Sequence, residues 1–218
     1  MRLILFDCDG TLVDSGALIV AAAEDAFVEF GEAPPDELTL RSAIGLSVAE
    51  CMEFWRPQMG AEDRAAIGAA FGRHYWKYRA NGVHAEPLFP GVLDLLDRLA
   101  DEPDMLLGIV TGNSRRGLDA ILAHHELAER FVTFQTACRH PSKPHPAMVL
   151  QALAETGADA ASTVVIGDTA FDILMAKAAG ALPVGVAWGN HPVERLFEAG
   201  AAHVAHHPDQ LHPILGLT

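Results

Sequence analysis

The chain has few cysteines, few basic residues and no hydrophobic run long enough to cross a bilayer. Its three cysteines, Cys8, Cys51 and Cys138, are too few and too scattered for a disulfide framework, and an odd number leaves one thiol unpaired. The first apolar run meets Asp7 too early to be a signal peptide. We therefore expect a soluble protein in the reducing cytoplasm, without a membrane partner.

Positive charge is scarce: 15 Lys and Arg residues stand against 29 Asp and Glu residues, for a formal net charge of −14. Such a balance repels nucleic acid at long range, so no nucleic-acid partner is expected. An anionic substrate must instead be held by local chemistry. Half of the 218 residues are hydrophobic, enough to bury the core of one large domain or two small ones.

The apolar residues follow two different patterns along the chain. The run Leu3 to Phe6, which ends in Asp-x-Asp-Gly, is typical of a buried strand in a parallel sheet. Residues 16–83 carry apolar side chains at helical spacing with no strand-like alternation, which predicts an all-helical insert. After Pro90 and Gly91 helices and strands alternate, with predicted strands at 106–110, 131–134, 163–166 and 184–187. The pattern predicts an α/β fold, a doubly wound parallel sheet built from residues 1–15 and 84–218.

Polar residues follow the predicted strands. Ligands of open α/β sheets bind beyond the carboxyl ends of the strands, so these residues are the candidate site. They are Asp7 and Asp9 after the first strand, Thr111, Gly112, Asn113 and Ser114 after the second, Lys143 on a later loop, and Asp168 and Asp172 after the strand that ends at Ile166.

These residue types suit phosphoryl chemistry with a hard cation. Asp7 and Asp168 are predicted to bind Mg²⁺ through their carboxylates, which leaves coordination positions for water and phosphate. Asp7 would attack phosphorus, and Asp9 would act as general acid and base, because the turn at Gly10 brings it toward the same space. The segment 111–113 opens a helix and would cradle a phosphate, to which Lys143 adds positive charge.

Four segments together resemble the motifs of the haloacid dehalogenase superfamily: Asp7 to Ser15, Val110 to Asn113, Lys143 to Pro146, and Gly167 to Asp172. Each alone is weak, since Asp and Gly end many strands in turns. In order and together they are specific, and the similarity runs over the whole chain. It looks closest to the phosphoglycolate-phosphatase-like branch, in which a helical cap, here residues 16–83, follows the first motif.

The resemblance implies an Mg²⁺-dependent phosphatase that passes through a phosphoaspartate on Asp7. It also implies that Asp9 contributes its backbone carbonyl to the metal and that Asp172 lies one layer outside the ligands. The expected partner is a small phosphorylated metabolite, with phosphoglycolate as the first guess. The protein would be a monomer or homodimer.

Several other functions use similar residues. A phosphomutase of the β-phosphoglucomutase type would share every core residue. A haloacid dehalogenase needs neither metal nor a second aspartate, so Asp9 disfavours it. A phosphonoacetaldehyde hydrolase needs a cap lysine, for which Lys77 is the only candidate and lies late in the cap. A phospho-accepting signalling receiver is disfavoured because the candidate phosphoacceptor is on the first strand and a helical insert follows it.

Other conspicuous residues have a simpler structural interpretation. Cys8 is expected in the core, because strand alternation turns it away from the aspartates. The histidines at 203, 206 and 207 are expected at the surface. Aromatic residues at helical spacing are expected in the core of the cap, and basic residues on helices are expected in solvent. These are Tyr75, Trp76 and Tyr78, and Arg41, Arg73, Lys77 and Arg79.

Overall fold

The computed structural model describes residues 1–216. Its elements in chain order are β1 Arg2–Phe6, α1 Gly16–Glu29, α2 Glu37–Arg41, α3 Val48–Trp55, α4 Ala61–Asn81, α5 Val92–Ala100, β2 Met105–Thr111, α6 Arg115–His124, β3 Thr133–Thr136, α7 Ala147–Thr156, β4 Thr163–Gly167, α8 Ala170–Ala178, β5 Leu182–Val186, α9 Val193–Ala199, β6 His203–Ala205 and α10 Leu211–Leu215. Within residues 1–216 no helix is both long enough and apolar enough to span a membrane.

The six strands form one parallel sheet in the order β3-β2-β1-β4-β5-β6. Phe6, the last residue of β1, lies level with Ile109 of β2 and Ile166 of β4. The strand order reverses direction at β1: the chain builds β2 and β3 on one side of β1 and then crosses to place β4 on the other side. The residues that follow β1, β2 and β4 therefore meet at one edge of the sheet.

Both faces of the sheet are buried, as the continuous apolar strands predict. Ile4 and Phe6 point into the core on one face, while Leu3 and Leu5 point into a second core on the other. Because successive side chains of a strand alternate between faces, a four-residue apolar run serves both cores. The predicted doubly wound α/β fold is confirmed.

Helices α1 to α4, which we call the helical insert (residues 16–81), have a hydrophobic core of their own. Long helices α1 and α4 pack against each other, and α3 packs on α4. The insert ends at Gly82, whose left-handed backbone (φ 61°) caps α4. Its core is built from Leu18, Ala22, Ala23, Ala26, Phe27, Leu40, Met52, Trp55, Ile67, Ala70, Phe71 and Tyr75.

Some elements differ from the sequence expectation. β3 begins at Thr133 rather than residue 131, because a short 3₁₀ turn over Ala128–Arg130 precedes it. β5 begins at Leu182 and includes Pro183, which lacks an amide hydrogen and so concealed the start of the strand. α9, β6 and α10 were not predicted.

The two hydrophobic cores, one on each face of the sheet, predict how the free energy of unfolding responds to loss of a buried side chain. Leu5→Ala, at a fully buried position, should lower the free energy of unfolding by about 2–5 kcal/mol, because the neighbouring helices cannot fill the cavity. Leu150→Ala is the control, because Leu150 is half exposed on α7 and its loss should cost about 0.5 kcal/mol or less. Urea unfolding measures both, and equal losses would contradict the assignment of Leu5 to the core.

Candidate active site

The loop after β1 carries the first two acidic residues. The amide of Asp7 donates to the carbonyl of Ile166 at 2.9 Å, so the sheet continues one residue past β1. The chain then turns at Gly10, whose φ of +87° is a left-handed conformation that favours glycine. A β-carbon at Gly10 would lie 2.3 Å from Oδ2 of Asp168, so glycine is also required for space.

Three carboxylates, two from loops and one from the first turn of α8, converge around one lysine. Asp7, Asp168 and Asp172 each offer an oxygen, and these oxygens lie within 4.8 Å of one another. Nζ of Lys143 lies 2.7 Å from Oδ1 of Asp7 and 2.7 Å from Oδ1 of Asp172. All four side chains are essentially inaccessible to solvent. We call these four residues the carboxylate cluster.

Burial dominates the electrostatics of the carboxylate cluster. It raises the pKa of Asp7 well above its usual value and raises that of Asp168 to about 6, because a dry environment disfavours a charged carboxylate. Burial alone would lower the pKa of Lys143, but the charges of Asp172 and Asp7 outweigh it and raise that pKa. The lysine is therefore charged, but its one ammonium group cannot balance three carboxylates.

The residues present fit a divalent cation. With all three carboxyls ionised, as cation binding would require, the cluster carries three negative charges against the one ammonium group of Lys143, and one divalent ion would balance the difference. Oδ2 of Asp7 has no hydrogen-bonding partner within residues 1–216. Clustered carboxylate oxygens are the ligands that Mg²⁺ takes in proteins.

Neighbouring donors fix the orientation of Asp168. Oγ1 of Thr11 donates to Oδ1 of Asp168 at 2.9 Å, while the backbone amide and Nδ2 of Asn190 donate to its Oδ2 at 2.7 and 2.9 Å. Asp172 accepts from the amide and hydroxyl of Thr169 in a capping box that begins α8. Thr11 and Asn190 had no role in the sequence prediction, because a supporting donor has no spacing signature of its own.

Asp9 lies at the edge of the carboxylate cluster and is held separately. Ser15 Oγ donates to its Oδ1 at 2.7 Å, and Asn113 Nδ2 donates to its Oδ2 at 3.1 Å. Asn113, predicted as a phosphate contact, thus bonds the candidate acid and base in this structure. Thr111 is buried beside it, and its hydroxyl accepts from the amide of Asn113.

The helical insert contacts the sheet edge at three places close to the carboxylate cluster. A β-carbon on Gly112 would lie 2.3 Å from the carbonyl oxygen of Gly45, so the insert packs directly on the 111–113 loop. The amide of Ser47 donates to Oγ of Ser142, next to Lys143, at 2.9 Å. The carbonyl of Ser42 lies 2.9 Å from Nε2 of His191. The insert therefore packs against loops next to the carboxylate cluster.

The remaining conspicuous residues divide between core and surface. Cys8 is fully buried in the core, as expected, and the three C-terminal histidines are exposed. Lys77 is exposed as well. Arg79 is not simply solvated: its Nε lies 3.0 Å from Oε2 of Glu86, and its guanidinium donates to the carbonyl of Gly117. Glu86 lies beyond the end of α4, so the helical spacing of residues could not predict this ion pair.

Comparison with known proteins agrees with this site. A family model described as haloacid dehalogenase-like hydrolase matches residues 4–186. A probable phosphatase, IndB, of Dickeya dadantii is 34% identical, over 90% of this chain and 86% of its own length. A phosphoglycolate phosphatase of Synechococcus elongatus is 31% identical, over 91% and 90%. A haloacid dehalogenase-like hydrolase from Streptococcus pneumoniae superposes with a TM-score of 0.85 at 26% identity, covering 98% of both chains.

The chain belongs to the haloacid dehalogenase-like hydrolase family. This confirms the predicted superfamily and the predicted enzyme class, a phosphoric monoester hydrolase.

The two roles of Gly10 can be separated by a matched pair of variants. Gly10→Ala and Gly31→Ala both place a β-carbon at positive φ, which costs about 1–2 kcal/mol, but Gly31 has open space around it. Only Gly10→Ala should displace Asp168, lowering the rate of acetyl phosphate hydrolysis by about a hundredfold. Similar activity in the two variants at equal folded fraction would show that the close approach is not required.

Proposed function

We propose that the protein is an Mg²⁺-dependent phosphatase that hydrolyses a small phosphate monoester through a phosphoaspartate on Asp7. The observation that supports the proposal is the carboxylate cluster, in which three carboxylates and the ammonium group of Lys143 lie together in one buried space. Such a space suits a reaction in which negative charge moves between oxygens.

The metal would be held by the side chains of Asp7 and Asp168 and the backbone carbonyl of Asp9. Asp172 would not bind the metal directly, because its two oxygens already contact Thr169 and Lys143. A bound Mg²⁺ would offset the charge of the ionised carboxylates and so allow a phosphate to approach Asp7.

Asp7 would attack phosphorus through the carboxylate oxygen that has no hydrogen-bonding partner. Lys143 holds the other oxygen at 2.7 Å, which fixes the carboxylate plane and adds positive charge where the transferred group gathers negative charge. Thr111, at the end of β2, and Gly112 and Asn113, in the loop that leads to α6, would bind the remaining phosphate oxygens through a hydroxyl and backbone amides.

Asp9 would protonate the leaving oxygen and then take a proton from the water that hydrolyses the phosphoaspartate. Its hydrogen bonds from Ser15 and Asn113 hold the carboxylate beside the carboxylate cluster without direct contact with Lys143. One residue can serve both half-reactions, because the first leaves it deprotonated and the second requires a base.

The predicted cap, residues 16–83, contains the helical insert. It would close on the substrate and exclude bulk water until the phosphoaspartate has formed. Contacts from Ser42, Gly45 and Ser47 to the sheet edge support this role. We further propose a cytoplasmic monomer or homodimer whose partner is a small phosphorylated metabolite. The curated relatives make phosphoglycolate the first compound to test.

The nucleophile is tested by Asp7→Asn, with Asp14→Asn as a matched control, because Asp14 is an exposed acid in the same loop. Asp7→Asn should lower phosphate release by about a thousandfold or more while the protein stays folded, since the amide cannot form the acyl phosphate. Asp14→Asn should keep wild-type activity. Retained turnover in folded Asp7→Asn would overturn the mechanism.

The metal site is tested without an activity assay. Mg²⁺ at a hundred times its dissociation constant should raise the free energy of unfolding by about 2.7 kcal/mol relative to chelator, because it binds only the folded protein. The rise should be lost in Asp168→Asn and kept in Asp14→Asn. An unfolding midpoint that is the same with Mg²⁺ and with chelator would exclude this ion at the carboxylate cluster.

A further inference from the structure

A cavity of about 130 Å³ lies between the helical insert and the loop after β2. Asp9 and Asn113 line its floor, so it opens directly onto the proposed leaving-group acid. Its walls come from the insert and are mainly apolar, with Met52, Phe71 and Trp76 among them. Because the phosphate would be held at the carboxylate cluster, a substrate group next to Asp9 must occupy this cavity.

The charges around the cavity disfavour an anionic leaving group. Among the side chains that line it in the described part of the chain, none is basic, and Asp9 is the one acidic side chain. A substrate carboxylate in this space would have no cationic partner, which is costly in an apolar environment. An uncharged group does not meet this cost.

The nearest arginines are placed outside this wall. Arg79 lies 5.7 Å from the centre of the Trp76 ring and is already paired with Glu86. Arg116, which is exposed on α6, lies 4.0 Å from the same ring. Neither residue lines the cavity. Their cation–π contacts instead hold Trp76 in position from outside.

The size of the cavity points to a single ring. An engineered cavity of about 150 Å³ lined by aliphatic and aromatic side chains binds benzene, so a space of this order accepts one six-membered ring. Flat aromatic walls such as Phe71 and Trp76 favour a ring that can stack or meet them edge to face.

We propose that the preferred substrate is a phosphate monoester whose leaving group is an uncharged, ring-containing apolar alcohol. Trp76, Phe71 and Met52 are the residues that select it. This inference rests on the proposed phosphatase function and refines its substrate class. It disfavours phosphoglycolate, whose carboxylate would enter the apolar cavity beside Asp9.

The test compares benzyl phosphate with phosphoglycolate, which are both phosphates of primary alcohols, in the presence of Mg²⁺. The wild type should have a kcat/KM at least about tenfold higher for benzyl phosphate, mainly through a lower KM, because a hydrophobic pocket discriminates by this order. Acetyl phosphate, which has no ring, tests the chemistry at Asp7 alone.

A charge placed in the cavity should reverse the preference. Val48 lines the cavity and is 41% exposed, so Val48→Lys should fold normally and offer an ammonium group to a carboxylate. It should lower the ratio of kcat/KM for benzyl phosphate over phosphoglycolate by at least about tenfold. Val83→Lys is the control, at an exposed position outside the cavity, and should keep the wild-type ratio. Trp76→Ala should raise KM for benzyl phosphate by about tenfold, because the ring of the substrate loses its aromatic contact.

The outcomes separate the two proposals. Asp7-dependent cleavage of acetyl phosphate, with phosphoglycolate cleaved as well as or better than benzyl phosphate, would overturn the substrate class and leave the phosphatase function intact. An unchanged ratio in folded Val48→Lys would likewise overturn the substrate class. No phosphate release from any of the three compounds would overturn both proposals.

Discussion

A buried group of three carboxyls around one lysine is the feature around which the rest of this structure is arranged. Asp7, Asp168 and Asp172 have almost no contact with solvent, and Lys143 alone supplies a positive charge among them. Carboxylates gathered in this way repel one another unless a cation joins them. In the proposed function these residues are the protein's part of a binding site, which a divalent cation and a phosphate would complete.

The surrounding structure keeps these charges in place. The parallel register of β1, β2 and β4 brings loops distant in sequence to one edge of the sheet. Thr11 and Asn190 orient Asp168, while Gly10 leaves space for its carboxylate. The Gly45 loop of the helical insert packs on Gly112 so closely that a side chain at position 112 would clash. Fold and site thus depend on the same contacts.

The doubly wound sheet, and the meeting of acidic residues at one of its edges, could be predicted from the sequence for identifiable reasons. The run Leu3 to Phe6 is continuous and apolar, so it predicts a strand buried on both faces, and the acids that follow such strands must meet at one edge. Less was predictable where tertiary contacts decide. Pro183 concealed the start of β5, and Thr11 orients Asp168 across 157 residues of sequence. The pairing of Arg79 with Glu86 follows from packing that no helical periodicity encodes.

The central claim is that Asp7 carries the phosphoryl group during turnover, while Asp9 moves protons at the mouth of an apolar cavity. Its most direct test is the mass of acid-quenched protein and of its Asp7-containing peptide during phosphate release, in the wild type and in Asp9→Asn. We predict one added phosphoryl group on Asp7, more abundant in Asp9→Asn because the base for its hydrolysis is missing. Phosphate release with Asp7 unmodified at every quench time in both proteins would contradict the account.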